Sequence, residues 1–220
     1  MIKAVIFDFD GVILESVDVK GWAFQKLFEN YPAVQARILA FHHENGGLPR
    51  SNKIRHILKE FLGLPADDAV VEAYCDRFSG LVFQRVVDSP FVPGAFEALE
   101  AFAGKLAMFV VSGTPHEEMN RIVDAKGLRK YFRGIYGSPE SKTEWTRRIL
   151  AENTLTPREV LWIGDAASDH RAAQPHGIRF VLRSWAGNQD VFRDLLVDFK
   201  MNDLTGLPAL VSRLNKEDRS

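Results

Sequence analysis

The sequence predicts a doubly wound parallel α/β sheet interrupted by an all-helical insert. Three observations carry this prediction. First, short continuous apolar runs (Ala4-Val5-Ile6-Phe7, Met108-Phe109-Val110-Val111 and Val160-Leu161-Trp162-Ile163) end in small or acidic residues. Such runs suit strands buried on both faces of a parallel sheet. Second, helical patterns separate the later runs, and strand–helix alternation is how parallel strands are connected. Third, between residues 17 and 87 the alternation stops and helical periodicity dominates.

In chain order, residues 4–7 form the first strand and deliver Asp8-Phe9-Asp10-Gly11 to its carboxyl end. In the insert, Ile54, Ile57, Leu58, Phe61 and Leu62 follow the i, i+3, i+4, i+7, i+8 helical stripe, as do Tyr74, Phe78, Leu81 and Val82. Trp22, Phe24, Phe28 and Phe41 are read as its core. Its most loop-like segment is Asn45-Gly46-Gly47-Leu48-Pro49-Arg50. Beyond the insert, Pro93-Gly94 opens a helix carrying Phe96, Leu99 and Phe102. Residues 108–111 form a strand before Ser112-Gly113. Pro115 opens a helix with Met119, Ile122 and Val123 on one face and Gly127 as its stop. Ile135-Tyr136 is a two-residue strand candidate. Trp145 and Ile149 mark a helix, residues 160–163 a strand before Gly164-Asp165, Ala172-Ala173 a helix before Gly177, and Phe180-Val181-Leu182 a strand. Residues 216–220 are expected to fray. The expected organisation is a core domain of residues 1–16 and 88–220 with a helical domain of residues 17–87 inserted.

At 46% hydrophobic and 26% charged residues, the 220-residue chain has material for a packed core and does not have the composition of disorder. Lys+Arg 28 against Asp+Glu 29 gives a net charge of −1, which excludes a broad basic footprint for nucleic acid. No apolar run approaches the ~20 residues of a membrane span. The first residues reach Asp8 without the apolar stretch of a signal peptide. Cys75 is the single cysteine, read as a buried helix thiol, so no intrachain disulfide forms. These features predict a soluble cytoplasmic protein that binds neither nucleic acid nor membrane; they set no oligomeric state.

Asp8 and Asp10 lie two residues apart at a strand end, so in extended backbone they share a face. Carboxylates that close raise each other's pKa unless cations or donors compensate. A second pair, Asp165 and Asp169, follows the strand of residues 160–163. Ligands of open α/β sheets bind outside the carboxyl ends of the strands. Two strand ends bringing carboxylates to one edge make an oxygen-rich site of the kind Mg²⁺ prefers.

Four segments in order carry a family resemblance: Asp8 to Ser16 (DFDGVILES), Ser112-Gly113-Thr114 after an apolar strand, Lys142 in Gly137-Ser138-Pro139-Glu140-Ser141-Lys142, and Gly164-Asp165-Ala166-Ala167-Ser168-Asp169. With Val92-Pro93-Gly94 before a helix, they make the chain resemble the haloacid dehalogenase-like (HAD) phosphohydrolases of the phosphoglycolate phosphatase-like branch. The resemblance covers nearly the whole chain. It implies a Rossmann-like core with a helical cap inserted after the first segment. It also implies Mg²⁺ and a small phosphorylated metabolite, with Asp8 as nucleophile and Asp10 as general acid and base. Asp8, Asp10 (through its carbonyl), Asp165 and Asp169 would form the metal shell, Asp169 by orienting it or through water. Ser112 and the Gly113 N–H would hold phosphate oxygens, and Lys142 would set positive charge against the phosphate and Asp8.

By themselves, Asp169 could simply cap the following helix and Lys142 could be a solvated lysine. In the insert, a basic loop region with His42, His43, Arg50 and Lys53 either reaches the core to bind an anionic or hydroxylated leaving group or is a solvated turn. Lys53 is expected to begin the following helix. The leading expectation is a Mg²⁺-dependent phosphatase for a phosphoglycolate- or sugar-phosphate-type metabolite, with Arg50 and Lys53 contacting the substrate. A sugar-phosphate mutase is the alternative, and a catalytically idle binding module a third reading. Dehalogenase and phosphonate chemistry are disfavoured by Asp10.

Overall fold

The computed structural model describes residues 1–46 and 48–218. Gly47 of the expected loop and Arg219 and Ser220 of the expected tail lie outside the described residues. The strands are β1 (Ala4–Phe7), β2 (Ala107–Pro115), β3 (Gly134–Ser138), β4 (Val160–Gly164), β5 (Arg179–Arg183) and β6 (Phe199–Met201). They pair in parallel in the order β3-β2-β1-β4-β5-β6. The chain builds outward from β1 to β3 on one side, then returns to add β4 to β6 on the other. The order reverses between β1 and β4, the place where sheets of this kind bind ligands.

Alternation along β1 explains its unbroken apolar run. Val5 and Phe7 enter the core on one face, Ala4 and Ile6 the core on the other. Trp162 of β4 is fully buried and its indole N–H is satisfied by Thr146 Oγ1 at 3.1 Å.

Between β1 and β2 run α1 (Val17–Leu27), α2 (Gln35–Glu44), α3 (Arg50–His56), which continues as a π-turn over Ile57–Phe61, α4 (Asp68–Asp88) and α5 (Ala95–Phe102). The described part of residues 17–88 contains no strand. Phe24, Phe28, Ile38, Ile54, Phe78 and Val82 are buried together there. Cys75 lies on α4 and is half-buried, less enclosed than expected. The remaining helices are α6 (His116–Ala125), α7 (Lys142–Glu152), α8 (Ala167–Ala173) and α9 (Leu207–Glu217).

Three further details differ from the sequence reading. α3 begins at Arg50, with Pro49 as its N-cap, rather than at Lys53. β6 was not expected: it is a three-residue edge strand with Lys200 exposed between Phe199 and Met201, too short for a periodic signal. Residues 216 and 217 close α9 instead of fraying. The chain's amino terminus meets Asp218 Oδ2 at 2.6 Å, and Ile2 N–H donates to Asn215. No helix among the described residues is long and apolar enough to cross a membrane.

Candidate active site

Phe7 is level with Val110 of β2 and with Ile163 of β4. β1 ends there, β4 ends one residue later, and β2 has no β1 partner beyond Val110, so Asp8, Ser112 and Asp165 arrive together at one edge of the sheet. Asp8 is tied to this edge by its own N–H, which donates to Ile163 O at 2.9 Å. Gly11 turns the chain with φ +76°, and a Cβ there would come within 2.2 Å of Asp165 Oδ2. Only glycine meets both demands. Gly164 serves the second turn: a Cβ would stand 2.3 Å from Asp169 Cβ.

Carboxylate oxygens of Asp8, Asp165 and Asp169, all buried, lie within 4.8 Å of one another. Among the described residues, one ammonium bonds directly to this set. Lys142, the first residue of α7, places Nζ 2.9 Å from Asp8 Oδ2 and 2.7 Å from Asp169 Oδ1. Asp169 Oδ2 accepts the N–H groups of Asp165 and Ala166 at 3.1 and 2.9 Å, so it caps α8 as well as orienting Lys142. Both of its oxygens are engaged, which suits an orienting role better than direct metal ligation. Asp165 receives the Trp185 indole N–H at Oδ2 (3.1 Å), and its carbonyl receives Asn188 Nδ2 (2.7 Å).

One ammonium among three buried carboxylates leaves negative charge in excess. Burial pushes the Asp8 carboxyl up to about 7; Lys142 pulls it back, and Asp169 and Asp10 add to the rise. Burial also holds Asp165 well above the carboxylate range, reinforced by Asp8 and Asp169. Burial opposes charge on Lys142, but Asp169 and Asp8 outweigh it and raise the ammonium above its ordinary value. A hard divalent cation fits this donor set: close oxygens, no nitrogen or sulfur, and uncompensated charge.

Asp10 is placed differently. Its carboxylate turns from the acidic cluster to Lys20 of α1, to Ser16 Oγ at 2.6 Å and to Thr114 Oγ1 at 3.3 Å. Burial would raise its pKa, but Lys20 prevails and lowers it. The Asp10 carboxylate is thus engaged away from the cluster of Asp8, Asp165 and Asp169.

Opposite these groups, one cavity is walled by Asp8, Asp10 and Ser112 on the sheet side and by Lys20, Arg50 and Lys53 on the helical side. Lys53 is buried at 3% exposure. Its Nζ meets His42 Nδ1 at 3.0 Å and His42 O at 3.3 Å. Burial pushes the amine down to about 7; Lys20 and Lys142 add to the fall, Asp10 and Asp165 resist it. His42 is itself held neutral, by burial and then by Lys53.

A testable consequence follows for stability. The folded pKa of Lys53 is depressed, so its penalty is absent above the unfolded value of 10.5 and grows as pH falls toward about 7. Wild-type stability relative to Lys53→Met should therefore rise between pH 7 and pH 10. Denaturant melts across that range check it; a constant difference would mean that Lys53 stays charged in the folded protein.

The profile of the haloacid dehalogenase-like hydrolases matches residues 5–183. The chain belongs to this family. A phosphoglycolate phosphatase of Vibrio parahaemolyticus is 27% identical over 195 residues, covering 80% of this chain and 81% of that protein. Among solved structures, a haloacid dehalogenase-like hydrolase of Streptococcus pneumoniae superposes with a TM-score of 0.74 at 20% identity, covering 96% and 98% of the two chains. A β-phosphoglucomutase of Clostridium difficile superposes at 0.75 with 17% identity over the full length of both.

In this HAD-like hydrolase, every candidate site residue read from the sequence borders the cavity or the acidic cluster. Their surroundings differ. Ser112 is buried and its Oγ accepts Thr114 N–H at 3.1 Å. Arg50 is engaged by Glu118 of α6, an unexpected partner. Lys20, Trp185 and Asn188 also went unrecognised, and Thr114 was read only as part of its segment. For Lys20 a signal existed: it lies on the face of Val17, Gly21 and Phe24, where a lysine has no packing reason to be.

Proposed function

We propose that this HAD-like hydrolase is a phosphatase that hydrolyses a small phosphomonoester metabolite through an aspartyl phosphate on Asp8. The observation that carries the reading is the pairing of two aspartates in opposite environments. Asp8 faces Lys142, and Asp10, two residues on, faces Lys20, Ser16 and Thr114. A second carboxyl beside the nucleophile can protonate a leaving alkoxide, which an ester needs and a carbon–halogen bond does not.

In this reading Asp8 Oδ attacks phosphorus as a carboxylate, and Asp10, protonated in the substrate complex against the pull of Lys20, gives its proton to the leaving ester oxygen. Asp10, now a carboxylate, takes a proton from the water that cleaves the acyl phosphate. Ser112 Oγ and the Gly113 N–H receive phosphate oxygens, and Lys142 offsets the charge gathered beside Asp8. Asp8, Asp165 and the Asp10 carbonyl would hold Mg²⁺, with Asp169 orienting them; the ion would supply Lewis-acid stabilisation of the phosphoryl oxygens. Helices α1–α4 act as the cap, with Lys53 on the wall that faces the leaving group. Phosphoglycolate and small sugar phosphates are the first substrates to test, the former because relatives carry that name.

The test is phosphate release from a panel of phosphomonoesters, with and without Mg²⁺. Release that requires the metal supports the reading. An isomeric sugar phosphate in place of free phosphate would make the enzyme a mutase, and no turnover of any ester would leave a binding module. Within the panel, Asp165→Asn should shift the midpoint of Mg²⁺ activation upward by about tenfold or more, since it removes an anionic ligand oxygen. An unchanged midpoint removes Asp165 from the metal shell. Lys53→Met should raise KM for the preferred substrate about tenfold, the size of one hydrogen bond to an anionic ester.

A further inference from the structure

We propose that Glu118 is a positioning residue that clamps the helical insert over the carboxylates through Arg50. Arg50 then serves the site by seating Lys53, and not by touching the substrate. The kinetic part of this inference rests on the phosphatase reading; the clamp itself does not.

Glu118 sits in the first turn of α6, the helix that directly follows Ser112, Gly113 and Thr114. Arg50 opens α3 in the insert. Both are buried, and they meet in a two-pronged pair: Nη1 to Oε2 at 3.0 Å and Nη2 to Oε1. Ser79 of α4 closes the triangle, accepting from Arg50 Nη1 at 2.7 Å and donating to Glu118 Oε2 at 2.6 Å. The guanidinium also lies over the Phe78 ring, 4.6 Å from its centre. Its charge is matched and both prongs of its fork are used within the protein. Residues from α3, α4 and α6 are held at one point.

The place of this point along α6 gives it leverage. At the other end of α6, Lys126 Nζ donates to Val87 O and Ser89 O at 2.7 and 2.8 Å, where α4 ends and the chain returns to the core. Between the two, Arg121 lies over Phe83 at 4.7 Å. Chain continuity already keeps the Lys126 end together. Of these three contacts between α6 and the insert, Arg50–Glu118 lies furthest along α6 from that junction and is the one that holds α3. Lys53 is three residues after Arg50 and shares its helix face. If Arg50 is released, Lys53 loses its place opposite Asp8 and Asp10.

A buried ion pair gains little over apolar packing of the same volume, yet it is costly to break from one side. That asymmetry supplies the test. The variants are Glu118→Gln, Arg50→Met and the double variant Arg50→Met/Glu118→Leu, which replaces the pair by apolar side chains. Two readouts are taken on the full chain: KM for the best ester of the panel, and hydrogen exchange at the amides of residues 50–56.

Each single variant should raise KM about tenfold and speed exchange at those amides, while the double variant returns both to within about threefold of wild type. Recovery of this kind is impossible if Arg50 holds the substrate directly. A double variant no better than Arg50→Met would therefore overturn the proposal, as would unchanged exchange in the single variants. Glu118→Gln is isosteric and keeps one hydrogen bond, so it reports even if Arg50→Met folds poorly. Should the wild type hydrolyse no ester, the phosphatase reading fails while hydrogen exchange still decides the clamp.

Discussion

Asp8→Asn protein is expected to fold and to lose turnover by about four orders of magnitude or more. The amide oxygen can still accept the Phe9 N–H, a bond that Asp8 Oδ1 makes at 2.7 Å. It cannot form an acyl phosphate, so the chemical step is lost rather than weakened. Folding should not suffer. Asp8 is buried with its pKa raised to about 7, which means that the folded protein resists ionising it. A raised carboxyl pKa contributes stability that is complete below the unfolded value of 3.8 and disappears as pH rises through about 7. Asparagine has no such dependence. In chelator, the variant should gain on the wild type between pH 4 and pH 7, and at pH 8 it should melt no lower. Mg²⁺ should narrow the gap by stabilising the wild-type carboxylate. Turnover near the wild-type level would end the assignment of Asp8 as nucleophile. A cooperative melt shifted far downward at pH 8 would show that its carboxylate is needed for structure.

The parts of this fold that the sequence exposed are those where one physical demand dominates. Strands buried on both faces must be apolar throughout, so β1, β2 and β4 stand out as unbroken runs. β6 pairs on one side only and leaves Lys200 exposed, so nothing distinguishes Phe199-Lys200-Met201 from loop. The acidic residues were legible for a related reason. A carboxylate directly after a buried strand has no packing role, and two such strand ends repeat the anomaly.

What stayed hidden depends on contacts between distant parts of the chain. Thr114 reaches Lys20 across 94 positions, Glu118 reaches Arg50 across 68, and Trp185 reaches Asp165 across 20. No local period reports such pairs. Arg50 shows the limit well. A basic residue after a glycine turn reads as a ligand contact, whereas the structure pairs it with Glu118, a carboxylate to which the sequence reading gave no role. Asp169 shows the opposite: helix capping and site chemistry were weighed as alternatives, and one side chain performs the first while holding Lys142 for the second.

Lys142→Met should cost both stability and activity, and the two losses should respond differently to a divalent cation. Lys142 is the single ammonium bonded to Asp8 and Asp169 among the described residues. Removing it leaves the acidic cluster without its only direct counter-charge, and stripping one partner from a buried pair costs about 3–5 kcal/mol. The loss should be greatest at alkaline pH and shrink as pH falls to 5. Without the ammonium the carboxyl pKa values rise further, and a group whose folded pKa is raised regains its stability on the acid side. Mg²⁺ should recover much of the melting temperature, since any cation among Asp8, Asp165 and Asp169 relieves the same repulsion. Turnover should stay down by about two to three orders of magnitude even at saturating metal, because Lys142 also fixes where Asp8 and Asp169 point. Thermal melts and steady-state rates measured over one Mg²⁺ titration separate the two effects. Parallel recovery of melting temperature and rate would reduce Lys142 to a counter-ion that a metal replaces. Recovery of the melt alone is the outcome expected of a residue that both neutralises the cluster and positions its nucleophile.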